Sequence, residues 1–155
     1  MPGHRQLTTF VGVCLVVAGT GLAAQSPGGA GDRAEPPRIQ LEEFRPLQAT
    51  GAALIIDVRD QATFRLGHIP GAISVPVDQI EARAADIEAR AKSRPIVTYC
   101  SCPNDHASVS AAALLAARGV CNVRALAGGL PAWVAAGGSL LRGGLVGEKL
   151  PKRLF

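Results

Sequence analysis

Two cysteines, with one residue between them, lie in the segment Tyr99–Ser108, which reads YCSCPNDHAS. A cysteine thiolate is a strong nucleophile and a soft metal ligand, so Cys100 and Cys102 are the first candidates for chemistry. The apolar run before them and the alanine-rich run after them predict a strand, a turn and a helix. At such a junction the helix dipole and unpaired backbone N–H groups lower the pKa of a thiol and can bind an anion. The segment therefore indicates nucleophilic chemistry on sulfur or on phosphate.

Short apolar runs alternate with helical segments along the chain. The runs ALIID, AISVP, PIVTYC and NVRAL are typical of strands. Helices are predicted at QATFRL, from Asp78 to Arg94 with one apolar stripe, from Ala107 to Arg118, and at LPAWVAAG. This alternation predicts a mainly parallel sheet with helices on both faces. The active sites of such sheets lie beyond the carboxyl ends of the strands, which is where Cys100 falls.

Three motifs over residues 38–137 resemble those of the rhodanese-like family, and they occur in the order and at the spacing of that family. The first is LIIDVRDQATFRLGHIPGAISVP, the second is PIVTYC followed by a helix, and the third is VRALAGGLPAW. The resemblance implies a single α/β domain with a five-stranded, mainly parallel sheet flanked by helices. It also implies a sulfurtransferase, in which a cysteine takes a sulfane sulfur as a persulfide and hands it to a thiophilic acceptor. We expect no cofactor.

The cysteine loop departs from the family pattern of a cysteine, four residues, an arginine and a serine or threonine. The register counted from PIVTY makes Cys100 the nucleophile, whereas the register counted back from the helix selects Cys102. We expect Cys100, because the ladder of its strand fixes a strand end, and Cys102 is then a resolving or regulatory thiol. No arginine lies between Tyr99 and Ala117. This absence disfavours thiosulfate as the donor, and it disfavours a cysteine phosphatase, which needs the guanidinium.

Other residues are candidates for supporting roles. The substrate-binding loop is expected to comprise Ser101, Pro103, Asn104, Asp105 and His106. Asp105 is expected to cap the following helix, and His106 is placed to pair with a thiolate. Asp57 and Arg59 fill the Asp-x-Arg positions of the family, where they either shape the rim of the active site or form a structural ion pair. The loop as a whole, CSCPND, resembles a subset of rhodanese-like domains with a Cys-x-Cys-Pro-Asn-acidic sequence.

Three functions compete with sulfur transfer. A thiol–disulfide redox domain would use the Cys100/Cys102 pair and would need a reductant. A metal-handling module would use Cys100, Cys102 and His106, but no fourth ligand is obvious nearby, and we predict no metal site. A catalytically inactive domain kept for binding would explain the missing arginine but not the cysteines.

The N-terminus has the pattern of a secretory signal peptide, with a basic start, an uncharged apolar run and small residues at Ala23 and Ala24 before a predicted cleavage near Gln25. We expect a periplasmic or secreted protein without a stable membrane span after cleavage; an uncleaved N-terminal anchor is the alternative. The predicted organisation is a signal peptide at 1–24, a Gly/Pro-rich linker at 25–37, the domain at 38–137 and a basic tail at 138–155.

Charge and composition limit the partners. The net charge of +4 comes from the tail, which carries +3, and from Arg5, because basic and acidic residues balance between 25 and 137. Aromatic residues make up 4% of the chain and are not interleaved with basic ones, which argues against nucleic-acid binding. The expected partners are a small sulfur donor and a thiol or other thiophilic acceptor, whereas the sequence does not predict an oligomeric state.

Overall fold

The structure is a computed structural model that describes residues 36–143, so the predicted signal peptide and most of the basic tail lie outside the described residues. The strands are β1 (Arg38–Ile39), β2 (Leu54–Asp57), β3 (Ala72–Ser74), β4 (Ile96–Tyr99) and β5 (Val123–Leu126). The helices are α1 (Leu41–Thr50), α2 (Gln61–Leu66), α3 (Ala84–Ala91), α4 (His106–Ala117) and α5 (Gly129–Ala135). All five strands are parallel, in the order β1-β5-β4-β2-β3, which confirms the predicted α/β class. Over this range, no helix combines the length and the apolar character needed to cross a membrane.

The side chains of β4 alternate between two apolar cores, one on each face of the sheet. Ile96 belongs to the core that is closed by α3 and α4, whereas Val97 and Tyr99 belong to the core that is closed by α1 and α5. Successive side chains of a strand point to opposite faces. Cys100 continues this alternation, so it enters the core beneath α4 and is only 2% exposed.

Two elements differ from the sequence prediction at the N-terminal edge. No strand was predicted at β1, because two residues are too few to show a period. No helix was predicted at α1 either, because its sequence LEEFRPLQAT is polar and contains Pro46. Phe44 is nevertheless fully buried from α1, so tertiary packing decides that helix.

The helix predicted from Asp78 is shorter than expected. A 3₁₀ turn occupies Val77–Gln79, and the α-helix begins only at Ala84. The predicted apolar stripe is present all the same, since its members Ile80, Ala84, Ile87 and Ala91 are all buried. The stripe therefore identifies the buried face correctly, although the turn before Ala84 changes the start of the helix.

The first residues of the predicted tail fold back on the domain. Leu141 and His68 exchange two backbone hydrogen bonds of 2.9 Å, in an isolated antiparallel bridge. Gly143 N–H donates to the carbonyl of Arg65 at 2.8 Å, and Trp133 Nε1–H donates to the carbonyl of Ser139 at 2.9 Å. Residues 139–143 thus cover the Gly67–His68 turn.

Tyr99 joins the end of β4 to the neighbouring loop. Its buried hydroxyl accepts the backbone N–H of Ile69 at 3.1 Å, and Asp57 lies opposite Tyr99 in the β2–β4 register. Burial, with the Asp57 charge nearby, raises the pKa of Tyr99 well above its ordinary value, so the hydroxyl stays neutral.

Replacing Tyr99 by phenylalanine should therefore destabilise the domain. The variant leaves the Ile69 N–H unpaired, and a buried polar group without its partner costs about 1 to 3 kcal/mol. Urea unfolding should show a lower midpoint with an unchanged slope. Thr50→Ala is the control, since the exposed Thr50 hydroxyl bonds only to Pro46 within the same helix, and we expect less than about 0.5 kcal/mol there. Equal losses in the two variants would contradict the assignment.

Candidate active site

The two cysteine sulfurs occupy different environments. Cys102 is half-buried and lines an open cleft of about 730 Å³, together with exposed loop residues that include Ser101, Pro103 and Asn104. Cys100 is buried and does not line the cleft. Of the two thiols, Cys102 is therefore the one that a molecule in the cleft can reach.

Backbone N–H groups point at both sulfurs. The N–H of Ala107, the second residue of α4, donates to Cys102 Sγ at 3.3 Å. The N–H of Cys102 donates to Cys100 Sγ at 3.4 Å. The start of α4, where the helix dipole favours negative charge, therefore lies directly against Cys102.

Burial raises the pKa of the Cys100 thiol, and the neighbouring Cys102 thiol raises it further. The backbone N–H groups of Cys102 and Ser108 act in the opposite direction but are the smaller effect. The expectation that the strand-end position lowers this pKa is therefore wrong for Cys100. The cause is the strand period, which places its sulfur in the apolar core rather than at the surface.

Asn104 and Asp105 shape the loop by their backbone conformation. Their φ angles are +56° and +57°, in the left-handed region that asparagine and aspartate tolerate better than most residues. They belong to the 3₁₀ turn Pro103–Asp105, after which α4 begins at the exposed His106. The sequence PNDH is thus a tight turn that leads into the helix.

Asp105 does not cap α4, so the predicted capping role is wrong. Its buried carboxylate makes no bond to the first helical N–H groups. It accepts instead from Arg38 Nη1 at 2.9 Å and from the backbone N–H of Gly128 at 2.8 Å. Left-handed backbone at Asp105 turns the side chain away from the helix and towards β1 and the loop after β5.

Arg38 is a site residue that the sequence analysis missed. It lines the same cleft as Cys102, pairs with Asp105 and donates to the carbonyl of Asn104 at 3.5 Å from Nη1 and 3.4 Å from Nη2. The cysteine loop has no arginine of its own, yet a guanidinium reaches it from β1. The signal was hidden because Arg38 belongs to no motif and lies 67 residues before Asp105.

A pair of glycines brings the β5–α5 turn against the cysteine loop. Gly128 and Gly129 have φ angles of +72° and +50°, and the next residue, Leu130, donates its N–H to the carbonyl of Cys100 at 2.8 Å. A Cβ on Gly129 would lie 2.3 Å from that carbonyl oxygen. Only glycine combines this conformation with so close an approach.

Asp57 and Arg59 form a buried ion pair away from the cleft. Asp57 is fully buried and accepts from Arg59 Nη2 at 2.5 Å and from its Nε at 2.9 Å. Arg59 Nη2 also donates to the carbonyl of Gly67 at 2.7 Å. Neither residue lines the cleft beside Cys102, so the geometry favours the structural interpretation, in which the pair fixes the loop between β2 and α2.

The structure gives no support to the metal-handling alternative. Within residues 36–143, no group of three or more His, Cys, Asp and Glu side chains is arranged to hold a metal ion. His106 is exposed at the start of α4. The site that the structure does bring together consists of Cys100, Cys102, the PND turn and Arg38.

A family model described as the rhodanese-like domain matches residues 40–136. The chain belongs to the rhodanese-like family. Thiosulfate sulfurtransferase GlpE from Pseudomonas fluorescens is 38% identical to it over 98 residues, which span 62% of this chain and 83% of that protein. This rhodanese-like chain is thus similar to a named sulfurtransferase over most of that protein's length, while the resemblance to a Cys-x-Cys subset stays a prediction.

Solved structures agree with the rhodanese-like assignment. Human single-domain sulfurtransferase TSTD1 matches with a TM-score of 0.53 and 28% identity, over 64% of this chain and 96% of that one. The rhodanese-like domain of the Anabaena sp. Alr3790 protein matches with a TM-score of 0.60 and 31% identity, over 77% and 94% of the two chains.

Gly129→Ala should destabilise the rhodanese-like domain more than an alanine at a glycine that has a positive φ but open space around it. Gly51, at the end of α1, has a φ of +65° with nothing within 4 Å of an added Cβ, so it is a matched control. Gly51→Ala should cost about 1 kcal/mol of strain, whereas Gly129→Ala adds displacement of the Cys100 carbonyl and should cost at least about 2 kcal/mol. Urea unfolding measures the free energy of unfolding of both variants. Equal decreases would show that the close approach at Gly129 does not contribute to stability.

A double-mutant cycle tests the Arg38–Asp105 ion pair. With Arg38→Gln and Asp105→Asn, we expect a coupling energy of about 1 to 2 kcal/mol, because the Asp105 side chain is only 6% exposed. The control cycle uses Arg118 and Glu81, which are 3.3 Å apart but roughly half exposed, and should give less than about 0.5 kcal/mol. A coupling at Arg38–Asp105 no larger than the control would mean that the pair does not hold the loop.

Proposed function

We propose that this chain is an exported sulfurtransferase that carries a sulfane sulfur as a cysteine persulfide and passes it to a thiol or another thiophilic acceptor. The position of Cys102 carries the proposal, because its Sγ lies at an open cleft and accepts the N–H of Ala107. Membership in a family that includes a thiosulfate sulfurtransferase supports the same class of reaction.

Cys102 is our candidate for the sulfur that attacks the donor. A nucleophile must be reached by its substrate, and Cys100 is 2% exposed whereas Cys102 borders the cleft. The start of α4 and the Ala107 N–H stabilise negative charge on Cys102 Sγ. This choice follows the register counted from the helix rather than the strand register, which favours Cys100.

The reaction needs two displacements on sulfur and no cofactor. The Cys102 thiolate attacks the sulfane sulfur of the donor, an S–S bond forms, and the donor's leaving group departs with the electron pair of the broken bond. An acceptor thiolate then attacks the outer sulfur of the persulfide. The electrons of that S–S bond return to Cys102, which becomes a thiolate again.

The charges of the cleft favour one class of donor. Arg38 and Asp105 form an ion pair at its wall, and the pair has no net charge. Such a wall attracts a dianion such as thiosulfate less strongly than an arginine without a carboxylate partner would. Persulfides of small thiols, whose leaving group is itself a thiol, are therefore the donor class that we propose.

The exported location rests on the sequence of residues 1–24 alone. Cleavage near Gln25 would release a protein without a membrane anchor, whereas an uncleaved apolar segment would keep it at the membrane. The mass of the protein isolated from its native cells distinguishes the two, because only cleavage removes the first 24 residues.

One alternative function has a specific observation behind it. The N–H of Cys102 donates to Cys100 Sγ at 3.4 Å, so the two cysteines are close neighbours, which also suits a thiol–disulfide redox domain. Such a domain would exchange electrons with a disulfide substrate and would not retain sulfur from a persulfide donor.

Intact mass after sulfur loading tests the proposed function. The reduced full-length chain is incubated with glutathione persulfide, or with thiosulfate in a parallel sample, and the donor is removed. We expect a Cys100→Ala variant to gain one sulfur atom and a Cys102→Ser variant to gain none, with glutathione persulfide the better donor.

The outcomes separate the hypotheses. Sulfur retained in Cys102→Ser but lost in Cys100→Ala would show that the strand register identifies the nucleophile. Loss of two hydrogens from the wild type with a disulfide substrate, without sulfur uptake in any variant, would replace the sulfurtransferase by the redox domain.

A further inference from the structure

Cys100 has a position that the proposed sulfur transfer does not use. Its sulfur lies in the apolar core beneath α4, yet it also lies beside the loop residue Cys102. The N–H of Cys102 donates to Cys100 Sγ at 3.4 Å, and the Cys102 side chain packs against the core cluster that contains Cys100. The residue beside this buried thiol is therefore the one that would carry the persulfide.

We propose, on the basis of that proposed function, that Cys100 attacks the persulfide of Cys102. The attack releases sulfide and forms a Cys100–Cys102 disulfide. The domain then has a second activity, the reduction of a bound sulfane sulfur to sulfide, beside transfer to an external acceptor.

The step balances in atoms and electrons. Cys100 loses its proton, and its sulfur attacks Cys102 Sγ, which forms the Cys100–Cys102 bond. The bond between Cys102 Sγ and the outer sulfur breaks, and its electron pair leaves with the outer sulfur as hydrosulfide, which takes up the proton. The Cys100 thiol is oxidised and the sulfane sulfur is reduced. An external dithiol then returns the protein disulfide to two thiols with two electrons and two protons.

The backbone permits the disulfide. Residues two apart in an extended chain are separated by at most about 7 Å between Cα atoms, and a bent loop brings them closer. Disulfides span about 4.4 to 6.8 Å between Cα atoms, so the bend at Ser101–Cys102 allows the bond. A ring this small is strained and is therefore readily reduced, as the return step requires.

Burial makes Cys100 selective for this internal reaction. Because Cys100 is only 2% exposed, a donor or acceptor in the cleft cannot reach it. Cys102 can reach it, since Cys102 packs against the same core cluster. The half-buried position of Cys102 leaves the outer sulfur on the cleft side, so sulfide can leave. External acceptors and Cys100 then compete for the same persulfide.

Single-turnover sulfide release tests the proposal. The full-length chain carries Cys14→Ser and Cys121→Ser in every sample, so that the loop pair supplies its remaining two thiols. The protein is reduced, loaded anaerobically with one equivalent of glutathione persulfide, freed of small molecules and left without any external thiol. Sulfide is then measured over time, and the protein mass and the disulfide are mapped.

We expect one sulfide per protein, with a Cys100–Cys102 disulfide appearing at the same rate. Cys100→Ala and Cys100→Ser should keep the extra sulfur on Cys102 and release sulfide at least tenfold more slowly. Alanine preserves the apolar character of the core, and circular dichroism checks the fold of both variants. The matched appearance of sulfide and disulfide tests the proposal without any change at Cys100.

Other results overturn the inference in distinguishable ways. A persulfide that persists equally in the protein with and without Cys100 would refute the internal attack while leaving the proposed sulfur transfer intact. Recovery of the extra sulfur on Cys100 would show that attack occurs at the outer sulfur instead. Failure of every sample to take up sulfur would refute the proposed function itself.

Discussion

The carboxylate of Asp105 is the point on which the geometry of the cysteine loop depends. It joins three segments that are far apart in sequence, because it accepts from Arg38 of β1 and from the backbone of Gly128 after β5, while its own backbone closes the turn before α4. Each of these segments contributes to the cleft that Cys102 lines. The cleft is therefore a product of the sheet order, in which β5 lies between β1 and β4.

The strand period explains why two cysteines with one residue between them differ so much. Cys100 is still governed by the alternation of β4, which sends its side chain into the core. Cys102 lies beyond the strand, where the loop has turned towards the start of α4. These two positions thus provide one buried sulfur and one sulfur that borders the cleft.

The sequence predicts the fold class, four of the five strands and the buried stripe of α3, because these depend on local apolar patterns. It also predicts that the cysteines lie at the carboxyl edge of the sheet. It could not predict β1 or α1, whose local patterns are weak, and it missed Arg38 for the same reason. The predictions that Asp105 caps α4 and that the pKa of Cys100 is lowered are wrong, because side-chain direction and burial depend on contacts between distant segments.

The position of Arg38 has a consequence for where this domain begins. The family match starts at residue 40, two residues after the arginine that borders the cleft. A boundary drawn from the family match alone would keep both loop cysteines and all five described α-helices, yet would discard the cation that borders the cleft. One wall of the cleft thus depends on a residue that lies just outside the span shared with the family, so an excised domain needs those two extra residues to keep the Asp105 carboxylate paired.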